Sequence, residues 1–255
     1  MYDPVRLHTL VDKVLPRVRA LRHQIPPHPE LAADSDNEKR VDREQSPAEE
    51  IANAVTHGVG LLVSAACLST GVAYAALRHD PWTIVSVSIY GATLCVLYAS
   101  STFYHSVRNP RIKHVWYVLD HSSIYLLIAG TYTPYTLGPL REHAGAWGWG
   151  LFSVVWGLAA AGVVFQALFI HRWRVLSTLT YVLMGWIIVF AIHPLRQCIG
   201  GHGLLWLGMG GLCYTLGILF YALKRVPYMH AVWHLFVLAG STLHFMGVLF
   251  TVVLR

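Results

Sequence analysis

Two histidines four residues apart, His230 and His234, occur in an otherwise apolar stretch near the end of this 255-residue chain. On a helix this spacing projects both imidazoles from one face, about 6 Å from each other. Such a pair can hold one cation through two nitrogens, an arrangement found in zinc sites. Because two histidines on an apolar helix are also compatible with ordinary packing, metal binding needs further ligands from elsewhere in the chain.

Ser101 and His105 share the same four-residue offset in a different apolar stretch, so His105 can add a third nitrogen. Three histidines with one open position are typical of a catalytic zinc site, and nitrogen ligands argue against magnesium or calcium. Ser101 could hydrogen-bond the metal-bound water or a developing oxyanion, although a serine here also commonly bonds a carbonyl of its own helix. The sequence thus predicts zinc (Zn) bound by His105, His230 and His234, with Ser101 as a catalytic candidate.

Asp120 is the only acidic residue within any long apolar run of the sequence. An ionisable group in hydrocarbon is costly, so Asp120 is a functional candidate. Beside a metal that lowers the pKa of its bound water to about 7, the carboxylate can accept or orient the proton of that water. The alternative is a structural carboxylate bonded to a neighbouring helix. His121 points about 100° away around the helix and becomes a rival ligand only if the helix register differs.

The composition indicates what kind of element positions these residues. The chain is 55% hydrophobic and 13% charged, whereas about 25% of residues are charged in soluble domains. Ten of its 13 Asp and Glu lie in residues 1–50, so we expect the remainder to be a membrane domain. The net charge of +6 combines residues 1–50, with 8 Lys and Arg against 10 Asp and Glu, and the remainder, with 11 against 3. Because the basic total does not come from one basic domain, we expect no nucleic-acid partner.

Seven apolar runs are long enough to cross about 30 Å of hydrocarbon, which takes roughly 20 helical residues. Because lipid offers backbone groups no partner, these runs are predicted to be helices packed in one bundle. They are residues 51–77, 82–104, 115–137, 146–170, 175–192, 204–223 and 231–254. The expected fold class is an all-α membrane protein, a seven-transmembrane helix bundle.

The distribution of Lys and Arg predicts the orientation, because these residues accumulate in cytoplasmic loops. The segment before the first run and the connections after the second, fourth and sixth hold 15 of them, against 4 elsewhere. We therefore expect a cytoplasmic amino terminus and a carboxyl terminus outside. This topology brings the metal and catalytic candidates to one level near the cytoplasmic face. The first run adds Glu50, Asn53 and His57 at that level, and His57 is expected to hold Asn53 or the edge of the zinc site.

Residues 1–46 differ from the rest and are expected to form a cytoplasmic amino-terminal tail before a membrane domain at 47–255. Apolar residues recur at helical spacing among Lys and Arg over residues 5–22, a pattern typical of a basic amphipathic helix on an anionic membrane face. A mostly disordered tail is equally compatible with this stretch. Residues 26–46 are charged and contain prolines, which favours a linker.

Four segments carry a resemblance to a known family. They are 49–58 (EEIANAVTHG), 100–106 (SSTFYHS), 119–134 (LDHSSIYLLIAGTYTP) and 230–240 (HAVWHLFVLAG). In this order they resemble the bacterial hemolysin III proteins, which belong with the progestin and adiponectin receptors and, more distantly, with alkaline ceramidases. The resemblance extends over residues 47–255 and leaves out the tail.

The resemblance implies a metal site at matching positions. The S-x-x-x-H motif of the family matches Ser101 and His105, its helix-three aspartate matches Asp120, and its H-x-x-x-H motif matches His230 and His234. In relatives the three histidines hold zinc and the aspartate contacts the metal-bound water. The resemblance also implies a multi-pass protein of a cell membrane, here a bacterial inner membrane, with membrane lipid as its partner.

Three functions are compatible with these residues. The first is a zinc-dependent hydrolase acting on lipid amides or esters, with a membrane lipid as substrate. The second is a non-enzymatic membrane-homeostasis or receptor-like protein in which zinc is structural. The third is a pore-forming cytolysin, which is the meaning of the family name. The pore ranks last because no predicted helix carries a repeating polar stripe that could line an aqueous channel.

Overall fold

The structure, a computed structural model of the chain, describes residues 43–169 and 173–255. This part of the chain is helical and contains no β-strand. The long helices are α1 Pro47–Leu77, α2 Pro81–Ser106, α3 Pro110–Tyr135, α4 Gly145–Phe169, α5 Arg174–Trp186, α6 Ile192–Ala222 and α7 Met229–Val248. Short helical segments continue or join them: Thr136–Leu140, Arg141–His143, Ile187–Ala191 and Leu249–Val253. The proposed tail, up to residue 42, lies outside the described residues.

Five helical stretches of the described residues are long and apolar enough to cross a membrane. They are Pro47–Leu77, Pro81–Ser106, Gly145–Phe169, Arg174–Ala222 and Met229–Val253. The 49-residue stretch Arg174–Ala222 would measure about 74 Å as one straight helix, more than twice the hydrocarbon thickness, but its backbone leaves the helical conformation at Gly200 (φ 69°). The protein is an all-α, multi-span membrane protein, while the count of seven spans and the orientation stay predictions.

The connection expected between the fifth and sixth runs differs from the structure. Residues 193–203 contain polar side chains and were expected to form a loop, yet α6 begins at Ile192 and the helical path is interrupted only at Gly200. A helix satisfies its own backbone hydrogen bonds whatever the polarity of its side chains. Polar composition alone therefore did not predict a loop correctly here.

The first three helices begin with the same N-terminal capping arrangement. Ser46, Asp80 and Asn109 each precede a proline, and the side-chain oxygen of each accepts a hydrogen bond from a backbone N–H of the first turn. The proline occupies the first helical position, where a missing N–H costs nothing. As a result α1 starts at Pro47, before the apolar run, and its first turn includes two glutamates.

One of these glutamates, Glu49, joins the start of α1 to the start of α7. Its Oε2 accepts a hydrogen bond from the Ser46 backbone N–H at 2.9 Å, and its Oε1 accepts one from the Tyr228 N–H at 2.8 Å. Tyr228 immediately precedes α7 and has a φ of 63°, a left-handed conformation that is uncommon for residues other than glycine. The buried Glu49 carboxylate thus supports a strained residue at the entrance to α7.

Close packing of small residues sets the arrangement of the helices. α1 packs against α2 and α7, α2 against α3, α3 against α4, and α6 against α7. Gly60 of α1 lies against the ring of Tyr98 in α2, where an added Cβ would come within 2.5 Å of a ring carbon. The same kind of contact joins Gly162 of α4 to Tyr125 of α3. Helix α1 therefore lies directly beside both α2 and α7, the two helices that carry the three candidate histidines.

Tyr132 supports the point where α5 changes into a 3-10 segment. The single proton of its hydroxyl is shared between the carbonyls of Met184 and Gly185, at 2.9 and 2.7 Å, and its oxygen accepts a hydrogen bond from the Ile188 N–H at 3.0 Å. Backbone groups freed by the irregular turn would otherwise be unsatisfied in an apolar environment. The hydrogen bonds from Tyr132 in α3 thus stabilise the transition from α5 to the 3-10 segment.

Candidate metal centre

Three imidazoles from two helices meet near the start of α7. The ligand nitrogens of His105 in α2 and of His230 and His234 in α7 all lie within 4.8 Å of one another. The His105 ring centroid is 5.1 Å from that of His230 and 5.2 Å from that of His234. Tetrahedral zinc with Zn–N bonds of about 2.0–2.1 Å places its nitrogens roughly 3.3 Å apart, so a small contraction would suit it. This trio could hold a metal ion.

The His105 ring is oriented through its Nδ1 atom. That nitrogen lies 2.6 Å from Oε2 of Glu50, and the other oxygen of Glu50 accepts a hydrogen bond from Lys113 Nζ at 2.8 Å. A carboxylate partner requires the proton on Nδ1, which leaves the Nε2 lone pair for a ligand. His105 Nε2 is buried and has no hydrogen-bond partner, a costly condition that coordination of a cation would relieve.

The His234 ring is oriented in the same way, by the backbone of α1. Its Nδ1 lies 3.2 Å from the carbonyl oxygen of Asn53 and 3.1 Å from the hydroxyl of Thr56. Since a carbonyl only accepts, Nδ1 is the donor and Nε2 again carries the free lone pair. Imidazoles that bind metals are commonly fixed through the other nitrogen in this manner. The donor set therefore fits zinc.

The two α1 residues expected to support the site lie beside it in different ways. Asn53 supplies its main-chain carbonyl to His234, while its side-chain amide donates to Gln45 at 2.6 Å. The ring of His57 stacks on that of His234 with centroids 3.5 Å apart and planes 13° from parallel. Neither nitrogen of His57 has a hydrogen-bond partner. His57 therefore packs against a candidate ligand and does not hold Asn53.

Sequence reasoning gave no role to Glu50, Lys113 or Thr56. Glu50 was placed at the right level by the predicted topology, but it is also the last of the acids concentrated in residues 1–50 and looks like part of that charged segment. One signal could have identified it. A carboxylate in the first turn of a membrane helix, level with a candidate histidine ligand, is a typical partner for the second ring nitrogen.

Next to the trio, a cavity of about 160 Å³ extends into the bundle. At one end it is lined by Ser101, Asp120, His230 and His234. His105 is not part of its wall, in keeping with its enclosed position beside Glu50. The remaining wall is contributed by all seven helices and exposes mostly apolar surface. The polar candidates therefore stand at the end of a largely apolar chamber.

Ser101 differs from its neighbours in how it uses its hydroxyl. Ser100 and Thr102 donate to carbonyls of their own helix, at 2.9 and 2.6 Å. Ser101 makes no such bond; its hydroxyl is buried and lies beside the carboxyl of Asp120, which is positioned to accept from it. The alternative in which Ser101 merely bonds its own helix is not what the structure shows.

Asp120 lies on the cavity wall and is not among the three residues whose ligand atoms come together. Its Oδ2 is 3.7 Å from Nδ1 of His121. That nitrogen of His121 is 3.0 Å from the carbonyl of Tyr117, to which it donates, and His121 is also outside the trio. Asp120 therefore borders the cavity, and its role as a proton acceptor stays a prediction.

Comparisons with known proteins decide the family. A family profile described as Haemolysin-III related matches residues 45–245. The chain belongs to the hemolysin III family. It is 46% identical over 202 residues to the Hemolysin-3 homolog of Bacillus subtilis, covering 79% of this chain and 93% of that protein. It is 43% identical over 215 residues to Hemolysin-3 of Bacillus cereus, covering 84% and 97%.

A more distant relative of this hemolysin III protein comes from animals. The human Monocyte to macrophage differentiation factor is 30% identical over 210 residues, which cover 78% of this chain and 83% of that protein. The family resemblance carried by the four sequence segments is confirmed. Every residue of the candidate metal centre lies within the matched range. The bacterial relatives and the multiple spans are consistent with a bacterial cell membrane.

Proposed function

We propose that this hemolysin III protein is a zinc-dependent hydrolase of lipid amides or esters. The observation that carries the proposal is the trio itself, in which the rings of His105 and His234 are held through Nδ1 and present Nε2. Three histidines leave a fourth position open for a reacting molecule. When bound, zinc supplies Lewis acidity and activates water at neutral pH.

Two residues of the cavity wall supply the remaining chemistry. The Asp120 carboxylate can take a proton from the attacking water and later deliver it to the departing amine or alcohol. The Ser101 hydroxyl, which lies beside the Asp120 carboxyl, can donate to the acyl oxygen as negative charge develops there. Both residues line the cavity together with His230 and His234, so the proposal places the acyl group among these four side chains.

The shape and lining of the cavity support a lipid as the substrate. Along α7 the wall extends from His230 to His244, a helical rise of about 21 Å. Most of the cavity surface is apolar, and Ile218, Val237 and Trp186 are among the side chains that contribute to it. An extended acyl chain matches such a chamber in length and polarity, whereas a polar metabolite would lose its hydration there without replacement.

Removal of one histidine ligand tests the proposal. In detergent-purified protein, His230→Ala should lower zinc affinity by more than about 100-fold, because a direct ligand matters more than the residues that orient it. Turnover of ceramides and phospholipids should be lost in parallel. Metal content is measured by mass spectrometry and turnover by release of free fatty acid. The matched control is His202→Ala, which removes an exposed histidine and should retain both zinc and activity.

The results separate the proposal from its main alternative. Stoichiometric zinc with no turnover of any lipid would overturn the hydrolase and favour a structural metal. That alternative has support in the geometry, because the trio joins α2 to α7 and its outer hydrogen bonds reach α1. A structural metal predicts that His230→Ala lowers thermal stability and leaves any hydrolytic background unchanged. Protein without zinc would overturn both.

A further inference from the structure

A third histidine of α7, His244, has no role in the metal centre. It follows His234 by ten residues, about 15 Å along the helix axis. Its side chain is buried at 8% exposure, and both of its ring nitrogens lack a hydrogen-bond partner. An imidazole always carries at least one donor, and leaving its polar atoms unsatisfied in an apolar interior is costly. This side chain therefore calls for a partner from outside the chain.

The surroundings of His244 offer it no hydrogen bond. The backbone of α6 passes directly over the ring at Gly210, where any Cβ would collide with it. The ring of Tyr214 lies 5.5 Å away between centroids, but its hydroxyl is engaged with Ser241 Oγ at 2.8 Å. Ser241 also accepts from the hydroxyl of Tyr98 at 2.8 Å. Neighbouring hydroxyls are thus committed to one another.

His244 does, however, line the same cavity as the metal centre. The wall that contains His230 and Asp120 at one end includes His244 and Gly211 further along. A chain whose acyl group lies at the metal centre would pass His244 at about 15–20 Å, judged from the helical rise between His244 and the two α7 ligands. The His244 ring therefore lies along the wall beside the middle or far part of that chain.

The polar group that suits this position is a hydroxyl. A carboxylate or ammonium group would pay a large desolvation cost at this depth in the bundle. A ketone could accept a hydrogen bond but not donate one, so it would suit only one imidazole tautomer. A hydroxyl can donate or accept a hydrogen bond, and its burial costs little free energy once that bond is formed.

We propose that His244 binds a hydroxyl group carried on the chain of the lipid in this cavity, so that the protein selects hydroxylated acyl chains over plain ones. The proposal rests on the proposed function only in placing the acyl group at the metal centre. It concerns binding, and it holds whether or not the centre is hydrolytic.

Ricinoleic and oleic acids provide the test, because they differ by a single hydroxyl in the middle of the chain. Each acid is titrated against a fluorescent fatty acid bound to the purified full chain. The wild type should bind ricinoleic acid about five- to tenfold more tightly, the worth of one net hydrogen bond. His244→Phe should abolish this preference, and His244→Gln, which restores a donor and an acceptor, should keep it.

The control is His193→Phe, the same substitution at an exposed position, and it should retain the preference. If His244→Phe does not purify as folded protein, His244→Leu makes the same comparison. Equal affinity of the wild type for the two acids, failure of both to displace the probe, or a preference that survives in the Phe or Leu variant would overturn the proposal. A preference in protein without turnover would uphold it while the hydrolase fails.

Discussion

Glu50 connects a cation and a candidate metal ligand through its two carboxylate oxygens. One oxygen holds Nδ1 of His105 and the other holds Lys113. Because the carboxylate is negative, it makes the imidazole a stronger donor to a metal and fixes which nitrogen is free. Lys113 in turn donates to the carbonyl of Tyr104 at 3.1 Å, so the group is anchored to α2 beside the ligand. We therefore expect Glu50 to raise the affinity of the trio for a metal without being a ligand itself.

The substitution Glu50→Gln should lower zinc affinity about 10- to 100-fold. The amide oxygen can still accept the bond from His105, but the charge that strengthens the ligand is gone. A chelating dye that competes for zinc measures the change. Glu142→Gln is the control, because Glu142 is exposed and pairs only loosely with Arg141 at 3.5 Å. Unchanged zinc affinity in Glu50→Gln would show that the negative charge of Glu50 does not contribute to metal binding.

At this scale the sequence predicted the ligands better than their supports. His230 and His234 share a face because their spacing alone determines it, and His105 reaches them because the predicted topology aligns their depths. The residues that orient these histidines lie on α1, and which of them face the site depends on the rotation of α1 about its axis. That rotation is set by helix packing. For this reason the sequence left open whether His57 holds Asn53 or the edge of the zinc site, and the structure stacks it on His234.

The contact between α1 and α2 depends on a residue without a side chain. Gly60 lies against the ring of Tyr98, and an added methyl group would come within 2.5 Å of it. Tyr98 cannot easily retreat, since it is fully buried and its hydroxyl is bonded to Ser241. The position of α1, and with it the position of Glu50, follows from this close approach.

Gly60→Ala should therefore destabilise the protein by about 1–3 kcal/mol, the usual cost of overpacking, and weaken zinc binding. Thermal unfolding followed by tryptophan fluorescence measures the stability. Gly157→Ala is the matched control in α4, because an added methyl group there meets no atom within 4 Å. It should be neutral or slightly stabilising. Equal stability of the two variants would contradict the role given to the Gly60 contact.

The ends of the helices were predictable only where a residue type dictates them. The caps at Ser46, Asp80 and Asn109 follow from short polar side chains placed before proline. By contrast, α6 extends through polar residues that resemble a loop and breaks at Gly200. Hydropathy predicts which residues lie in the hydrocarbon, not where a helix ends. A helix can continue beyond the hydrocarbon with polar side chains that contact water.

For the whole molecule, the open question of topology has a direct test. The 15-to-4 distribution of Lys and Arg predicts a carboxyl terminus outside the cell. Alkaline phosphatase fused after Arg255 should therefore be active, while green fluorescent protein at the same place should be dark. The same reporters inserted after Arg225, in the connection between α6 and α7, should behave the opposite way. A fluorescent carboxyl-terminal fusion would instead place the metal centre at the outer face.

Glu49 and Glu50 are neighbours in the first turn of α1, and each holds a different part of the centre. The first supports the entrance to α7, which carries two of the histidines, and the second orients the imidazole of α2. Unwinding that single turn would withdraw both supports together. The arrangement of the three histidines would then be lost although none of them had changed.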